Sequence, residues 1–600
     1  MASTPRLEQA TVLLQGGKPE GAAAILGAIL AREPQHPLAA HLLGLALKDI
    51  GDWEQGEQWL RFSIQLSPNQ GEFHANLGNL LRKKEQYAAA EQAYRQALRL
   101  LPRHRAARRA LALTLNDLKR PAEARTECAL LLKANESDAE TWEVLALALT
   151  ALGLSVEAEA AHRRAITLNP DDAVAHHNLG ALLAALERPE ATKALEAARK
   201  LGADGYETAY NRGRAALNEG DLDAAENAFE RAVRLRPLDP EAHRALARLR
   251  YMRGDSAFVR DLGAAVRGNR DNIALQQLLA ELLWQAGELP AAETLLRDLS
   301  TRPDVDPAVR STLAMVLLDQ GRLTEAEAAA LDAAGAKPKD PAVAANLVTI
   351  LLARGRAEEA APFIAAHLER DPLAQDWLAF QATAARMLGT SRYRELYDYE
   401  RFVQVFELDP PDGFASIEEF NAALKAVLEK RYWFSRQPLD QTLRNGTQTT
   451  HNLLTDPHPL IRAALDTFRT PIEEYRRRLE LPADHPLARL KGGAPRFTSA
   501  WSVRLGRGGF HVNHIHRLGQ LSSAYYVEVP AETEDPALQS GWIKFGEPRH
   551  RTAGLNAEHA VAPRPGRLVL FPSYMWHGTH PIHGPDARTC IAFDVQQEPS

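Results

Sequence analysis

Three histidines crowd one short run near the C-terminal end, His511-Val-Asn-His514-Ile-His516, within a stretch that reads as β-structure. Side chains two apart on a strand leave the same face, so His514 and His516 can aim into one cavity and share a metal ion. His577 follows the apolar run GRLVLFPS, from which a folded-back strand can return it beside that pair. Arg588 stands further on, at the start of the last strand-like run, and Lys544 lies on GWIKFG. Tyr525 and Tyr526 are neighbours on LSSAYYVEV and must point to opposite faces, so one of them points inward and the other packs outside. A lone histidine is usually superficial or hydrogen-bonded, which is the reading given to His451, His458, His550, His559, His580 and His583.

Positioning these groups requires a scaffold of strands. The runs RFTSAWSVRL, LSSAYYVEV, GWIKFG, GRLVLFPS and RTCIAFDV are separated by Gly and Pro, the pattern of a sandwich or barrel of the jelly-roll kind. Ahead of them, Ser416-Ile-Glu-Glu419 has the spacing of a capping box and predicts a helix to about Lys430, with a second helical stretch from about Pro459 to Leu479. The expected division is a helical linker and barrel support over 391–494 and a jelly-roll core over 495–600.

The first two-thirds of the chain is periodic. Pro34, Pro68, Pro102 and Pro170 recur at 34 residues or twice 34, and Leu43, Leu77, Leu111, Leu145 and Leu179 run in phase, each followed by Gly or Ala. In the third unit Leu77-Gly78 lies on a first helix, and Ala90, Tyr94 and Ala97 lie on a second that ends at Pro102. This pattern resembles the tetratricopeptide repeat, and it predicts an all-α solenoid of about eleven repeats over residues 5–390. Cys128 falls where Tyr94 and Phe229 sit in their units, so it reads as core filler. Stacked helix pairs present a concave face suited to a peptide or another protein.

The chain has 600 residues, 45% hydrophobic and 25% charged, so it is globular and too long for one core. A net charge of −6 offers no global field for nucleic acid or an anionic membrane, and neither is expected as a partner. Two cysteines far apart give no disulfide framework, and no apolar run reaches the ~18 residues of a membrane span, so a cytoplasmic location is expected.

The segment GGFHVNHIHRLGQLSSAYYV, with GWIKFG and GRLVLFPSYMWHGTHPIHGPDARTCIAFD, resembles the prolyl-hydroxylase-like group of Fe(II)/2-oxoglutarate oxygenases, particularly bacterial ones that follow tetratricopeptide repeats. The resemblance implies Fe(II), 2-oxoglutarate and O2, with ascorbate as a stimulant. It also implies decarboxylation of 2-oxoglutarate to succinate coupled to hydroxylation of a peptide or protein side chain presented by the solenoid. By position, His514 and His577 would be metal ligands, and Arg588 would anchor the distal carboxylate of the co-substrate, with Lys544 as the rival anchor. The inward one of Tyr525 and Tyr526 would donate to the same molecule. The sequence departs from the wider superfamily at His516, where that group has Asp or Glu, and a neutral imidazole there lowers the negative charge of the site. Two other classes stay open: a non-catalytic scaffold with a degenerate barrel, and a three-histidine metal dioxygenase that does not use 2-oxoglutarate.

Overall fold

In the computed structural model, which describes residues 4–597, the chain divides into two compact units. One comprises residues up to Leu186 with Glu190–Asp204, and the other comprises Glu187–Pro189 with the residues from Gly205 onward. The last three residues of the expected 495–600 core lie outside the described residues.

The first unit holds six helix pairs, from Thr4–Gln15 with Pro19–Leu30 to Ala173–Ala185 with Ala191–Lys200. The small residues of the sequence comb sit where the two helices of a pair touch. A Cβ on Gly78 would lie 2.6 Å from the Tyr94 ring, one on Gly44 2.8 Å from Leu60, and one on Gly180 2.5 Å from Leu195. Overpacking of this kind costs about 1–3 kcal/mol, which explains why the small residue recurs. Cys128 is fully buried, and burial pushes its thiol up to about 12.

The second unit continues with five pairs, from Tyr206–Glu219 with Leu222–Leu235 to Pro341–Ala353 with Ala357–Arg370, and then a further helix, Gln375–Leu388. Gly213 lies 2.5 Å from Phe229 by the same test. Nine strands follow: β1 (Gln404–Glu407), β2 (Leu443–Gln448), β3 (Pro495–His511), β4 (Leu521–Glu528), β5 (Ile543–Phe545), β6 (His559–Val561), β7 (Arg567–Pro572), β8 (His577–Thr579) and β9 (Arg588–Gln597). They form a six-stranded sheet in the order β1-β7-β4-β9-β3-β2 and a three-stranded sheet in the order β6-β5-β8, with every pairing antiparallel. The fold is thus the expected solenoid followed by a jelly-roll-like sandwich, and among the described residues no closed barrel is formed. Phe545 of the small sheet meets Phe571 of β7 in the large one with ring centroids 5.1 Å apart.

Residues 391–494 are not helical alone, because they supply the edge strands β1 and β2. Short runs of mixed polarity carry little strand signal, and the Asn445-Gly446 pair of β2 reads as a turn. Asn445 adopts φ 51° at a register shift against β3. The capping box forms, with Ser416 Oγ accepting from Glu419 N at 3.2 Å ahead of a helix over Ile417–Glu429. The second helical stretch is two helices, Pro459–Thr467 and Arg469–Arg478. Between them Phe468, itself in helical conformation, is fully buried and stacks on Phe593 of β9 at 4.9 Å, so this helix pair covers one face of the large sheet. No helix among the described residues is long and apolar enough to cross a membrane.

Candidate functional site

Backbone pairing brings the three histidines together. The His514 and His577 backbones bond each other in both directions, at 2.8 and 3.0 Å, and His516 N donates to Ser573 O at 3.0 Å. His514, His516 and His577 each offer one ring nitrogen, and these atoms all lie within 4.8 Å of one another. His577 is held from outside as well: the preceding Trp576 donates its backbone N–H to Tyr397 Oη at 2.8 Å and its indole N–H to Thr383 Oγ1 of the helix Gln375–Leu388 at 3.0 Å.

Each ring has its outer nitrogen committed. His514 Nδ1 donates to Val512 O at 2.8 Å, His577 Nδ1 donates to Met575 O at 2.9 Å, and His516 Nδ1 lies 2.6 Å from Asp594 Oδ1. With Nδ1–H spent in this way, Nε2 carries the lone pair of each neutral ring. The Nε2 atoms of His514 and His516 are 3.2 Å apart, and two lone pairs at that distance need a cation between or beside them. Burial and the neighbouring rings lower the His514 pKa to about 3 and hold that of His577 well below the usual imidazole value. The His514 and His577 rings therefore stay neutral and free to ligate near neutral pH.

Asp594 is a functional residue that the sequence reading passed over. It is buried on β9 and accepts from Ser522 Oγ at 2.7 Å as well as from His516, while Ser522 Oγ and Ser573 Oγ are 2.8 Å apart. The carboxylate absent from the ligand position thus stands directly behind the ligand. A signal was available: Asp594 is the one acid in RTCIAFDV and lies six residues after Arg588, hence on the same face of the strand.

The register of β4 against β9 decides between the tyrosines. Tyr526 faces Cys590 across the β4–β9 ladder and lies inside, with the Arg588 guanidinium 5.6 Å from its ring centroid. Tyr525 lies on the other face, where its hydroxyl donates to Asn421 Oδ1 at 2.7 Å and its ring packs on Phe468. Arg588 is 2% exposed and donates Nη1 to Gly541 O at 2.6 Å; among the described residues no carboxylate pairs with it. Arg588 Nε and Tyr526 Oη are both buried without a hydrogen-bond partner. Lys544 points away from the two buried neighbours Ile543 and Phe545, and it pairs with Glu547. His511 is half-buried beside the triad, stacked on His514 with centroids 5.6 Å apart and its Nδ1 3.2 Å from Thr442 Oγ1, and it is not one of the converging three. Elsewhere His451 pairs with Asp456 at 3.1 Å, His458 caps the helix Pro459–Thr467, and His559 stacks on Tyr399.

A solenoid of helix pairs followed by an antiparallel sandwich that gathers three histidines defines a repeat protein with a candidate metal centre. Comparison with known families agrees in both parts. The tetratricopeptide repeat model matches residues 7–70, 76–139, 210–257, 278–341 and 311–375, and the model described as "Putative 2OG-Fe(II) oxygenase" matches residues 499–594. The chain is a tetratricopeptide repeat protein with a C-terminal domain of that oxygenase family. Among solved structures it is similar to the yeast Tom70, at 15% identity over 66% of this chain and 97% of that one, with a TM-score of 0.37. It is also similar to a tetratricopeptide repeat protein from Parabacteroides merdae, at 18% identity over 40% and 96%, with a TM-score of 0.36. A thermophilic protein of the same kind from Thermus thermophilus matches at 24% identity over 29% and 94%, with a TM-score of 0.26. No curated protein matches the chain.

Proposed function

We propose that this protein is an Fe(II)/2-oxoglutarate-dependent oxygenase that hydroxylates a side chain of a peptide or protein presented by its repeats. The observation that carries the reading is the pairing of three converging ring nitrogens with a buried Arg588 that no carboxylate neutralises: its guanidinium lies 5.6 Å from the Tyr526 ring centroid, and Arg588 Nε and Tyr526 Oη both lack a hydrogen-bond partner. The residues fit the implied groups. His514, His516 and His577 would hold Fe(II), at which O2, with 2-oxoglutarate as the two-electron reductant, would supply the oxidising power for hydroxylation, with succinate and CO2 as co-products.

The chain's own residues do the positioning. Val512 O, Met575 O and Asp594 fix the three imidazole tautomers. Arg588 has Nη1 committed to Gly541 O and Nη2 in a long contact of 4.0 Å with Cys590 Sγ, while Nε is free, so the Nε/Nη2 edge keeps the shape of a fork that a carboxylate accepts. A buried guanidinium without a counter-charge is costly, and the distal carboxylate of 2-oxoglutarate would relieve that cost. Tyr526 adds a further donor from a phenol that burial keeps protonated. Phe545 and Phe571 pack against His577 and exclude water from its flank.

The test is purified full-length protein with Fe(II), ascorbate and labelled 2-oxoglutarate, scored for succinate. Formation of succinate supports the proposal; none, with or without cell extract as a source of substrate, refutes it. The all-histidine set also suits a dioxygenase that does not use 2-oxoglutarate, and that reading requires O2 consumption with the co-substrate omitted.

A further inference from the structure

Within the second unit a cavity of about 430 Å³ opens onto His514. One of its walls comes from the first helices of successive repeats and from the helix Gln375–Leu388, and it keeps the period of the repeats. Met315, Thr349 and Thr383 stand 34 residues apart in turn, as do Asn346 and Phe380. The facing wall belongs to the sandwich and includes Ile515, Trp576 and Arg549. A wall built from equivalent positions of stacked units is a linear array, and its natural complement is a linear ligand, an extended polypeptide.

The charges of the cavity identify the kind of polypeptide. Its carboxylates are engaged: Asp376 lies 3.5 Å from Arg517, and Asp440 lies 3.2 Å from Arg248. In an adjoining cavity of about 550 Å³, Asp319 accepts from Trp284 Nε1 at 2.7 Å. Arg549 lines both cavities, and its side chain makes no hydrogen bond or ion pair among the described residues. Arg444, half-buried in the adjoining cavity, gives Nη1 only to the carbonyls of Gln441 and Leu443, at 2.8 Å each. Burial and the nearby charge of Arg549 hold the Arg444 pKa below its ordinary value, against a smaller opposing pull from Asp319, and no carboxylate forms an ion pair with Arg444 among the described residues.

We infer that the polypeptide received here is acidic: an extended segment laid along the inner face of the last repeats, with an Asp or Glu carboxylate taken by Arg549 and Arg444 beside the residue that reaches His514. This rests on the oxygenase reading only for what happens to that residue, and the docking itself is independent of it.

The test uses the full-length chain and three fluorescein-labelled nonapeptides, alternating Gly with Asp, with Asn or with Lys, followed by fluorescence anisotropy. The Asp peptide should bind most tightly. The double substitution Arg444→Gln with Arg549→Gln should weaken it by about tenfold or more, because charge-assisted pairs to a carboxylate are lost. Thr349→Trp, which fills the wall, should abolish binding with an unchanged melting temperature, and Arg551→Gln, next to the site but outside its lining, should leave binding as it was. Equal binding of the Asp and Asn peptides, an unaffected Arg444/Arg549 variant, or equal weakening by Arg551→Gln would each overturn the inference. So would a variant that keeps the peptide but loses affinity for 2-oxoglutarate, since the two arginines would then serve the co-substrate. Peptide binding without succinate formation upholds the inference and refutes the oxygenase reading; succinate formation without selective binding of the Asp peptide does the reverse.

Discussion

Replacing Asp594 by asparagine removes one negative charge behind the candidate metal centre while keeping its shape and an acceptor oxygen. Oδ1 receives both His516 Nδ1, at 2.6 Å, and Ser522 Oγ, at 2.7 Å, and an asparagine oxygen in the same place can receive both. What is lost is the charge assistance that makes His516 a more basic ligand. Losing a carboxylate behind a ligating histidine commonly costs ten- to a hundredfold in metal affinity, which converts to about 1.4–2.7 kcal/mol. The assay is titration of the metal-free protein with Co(II), followed by its d–d absorption, for the parent and for Asp594→Asn. The same pair is then measured in a His516→Asp background, where two carboxylates face each other and Asp594→Asn should improve affinity or leave it unchanged. An unchanged affinity in the parent background, or equal weakening in both backgrounds, would refute the coupling of Asp594 to the metal through His516.

Three further outcomes are expected. His516→Ala should weaken Co(II) binding strongly while His511→Ala changes it little, because only the first removes one of the converging nitrogens; loss at His511 alone would mean a different ligand set. Arg588→Ala should raise the 2-oxoglutarate concentration needed for half-maximal binding about a hundredfold, Tyr526→Phe should raise it less, and Lys544→Ala, which breaks an ion pair with Glu547, should leave it near the parent value by calorimetry. For the metal-free protein, the folded state keeps His514 neutral down to about pH 3 and His577 neutral well below the usual range, whereas the unfolded chain takes up those protons below about pH 6.5. The unfolded state then binds more protons, so the urea midpoint should fall as pH drops from 6.5, and a His514→Gln variant should show a shallower fall.

What the sequence revealed follows from how local each cause is. The repeats were legible because one contact, a small residue under a large one, recurs each time a helix pair forms, as at Gly78 with Tyr94 and Gly213 with Phe229. The histidine triad was legible from strand alternation and from the run that leads to His577. Alternation separated the two tyrosines but could not say which face was inner, because that is set by the distant helices on either side of Phe468, whose ring covers the outer one. The outward direction of Lys544 was readable from the apolar pair Ile543 and Phe545 on either side of it. Strands β1 and β2 were hidden because their pairing with β7 and β3 comes from long-range register and not from their own composition. The division after Asp204 left only a slight mark, a slip of one residue in the repeat comb, with Pro237 following Pro170 by 67 where two full repeats would give 68.

The most direct test of the account is a crystal structure of the full chain grown anaerobically with Mn(II), as a redox-silent stand-in for iron, and 2-oxoglutarate. The account predicts one anomalous peak bound by the Nε2 atoms of His514, His516 and His577, and a distal carboxylate held by Arg588 with Tyr526 beside it. Metal bound elsewhere, or a triad that binds metal while Arg588 stays without a carboxylate, would contradict it.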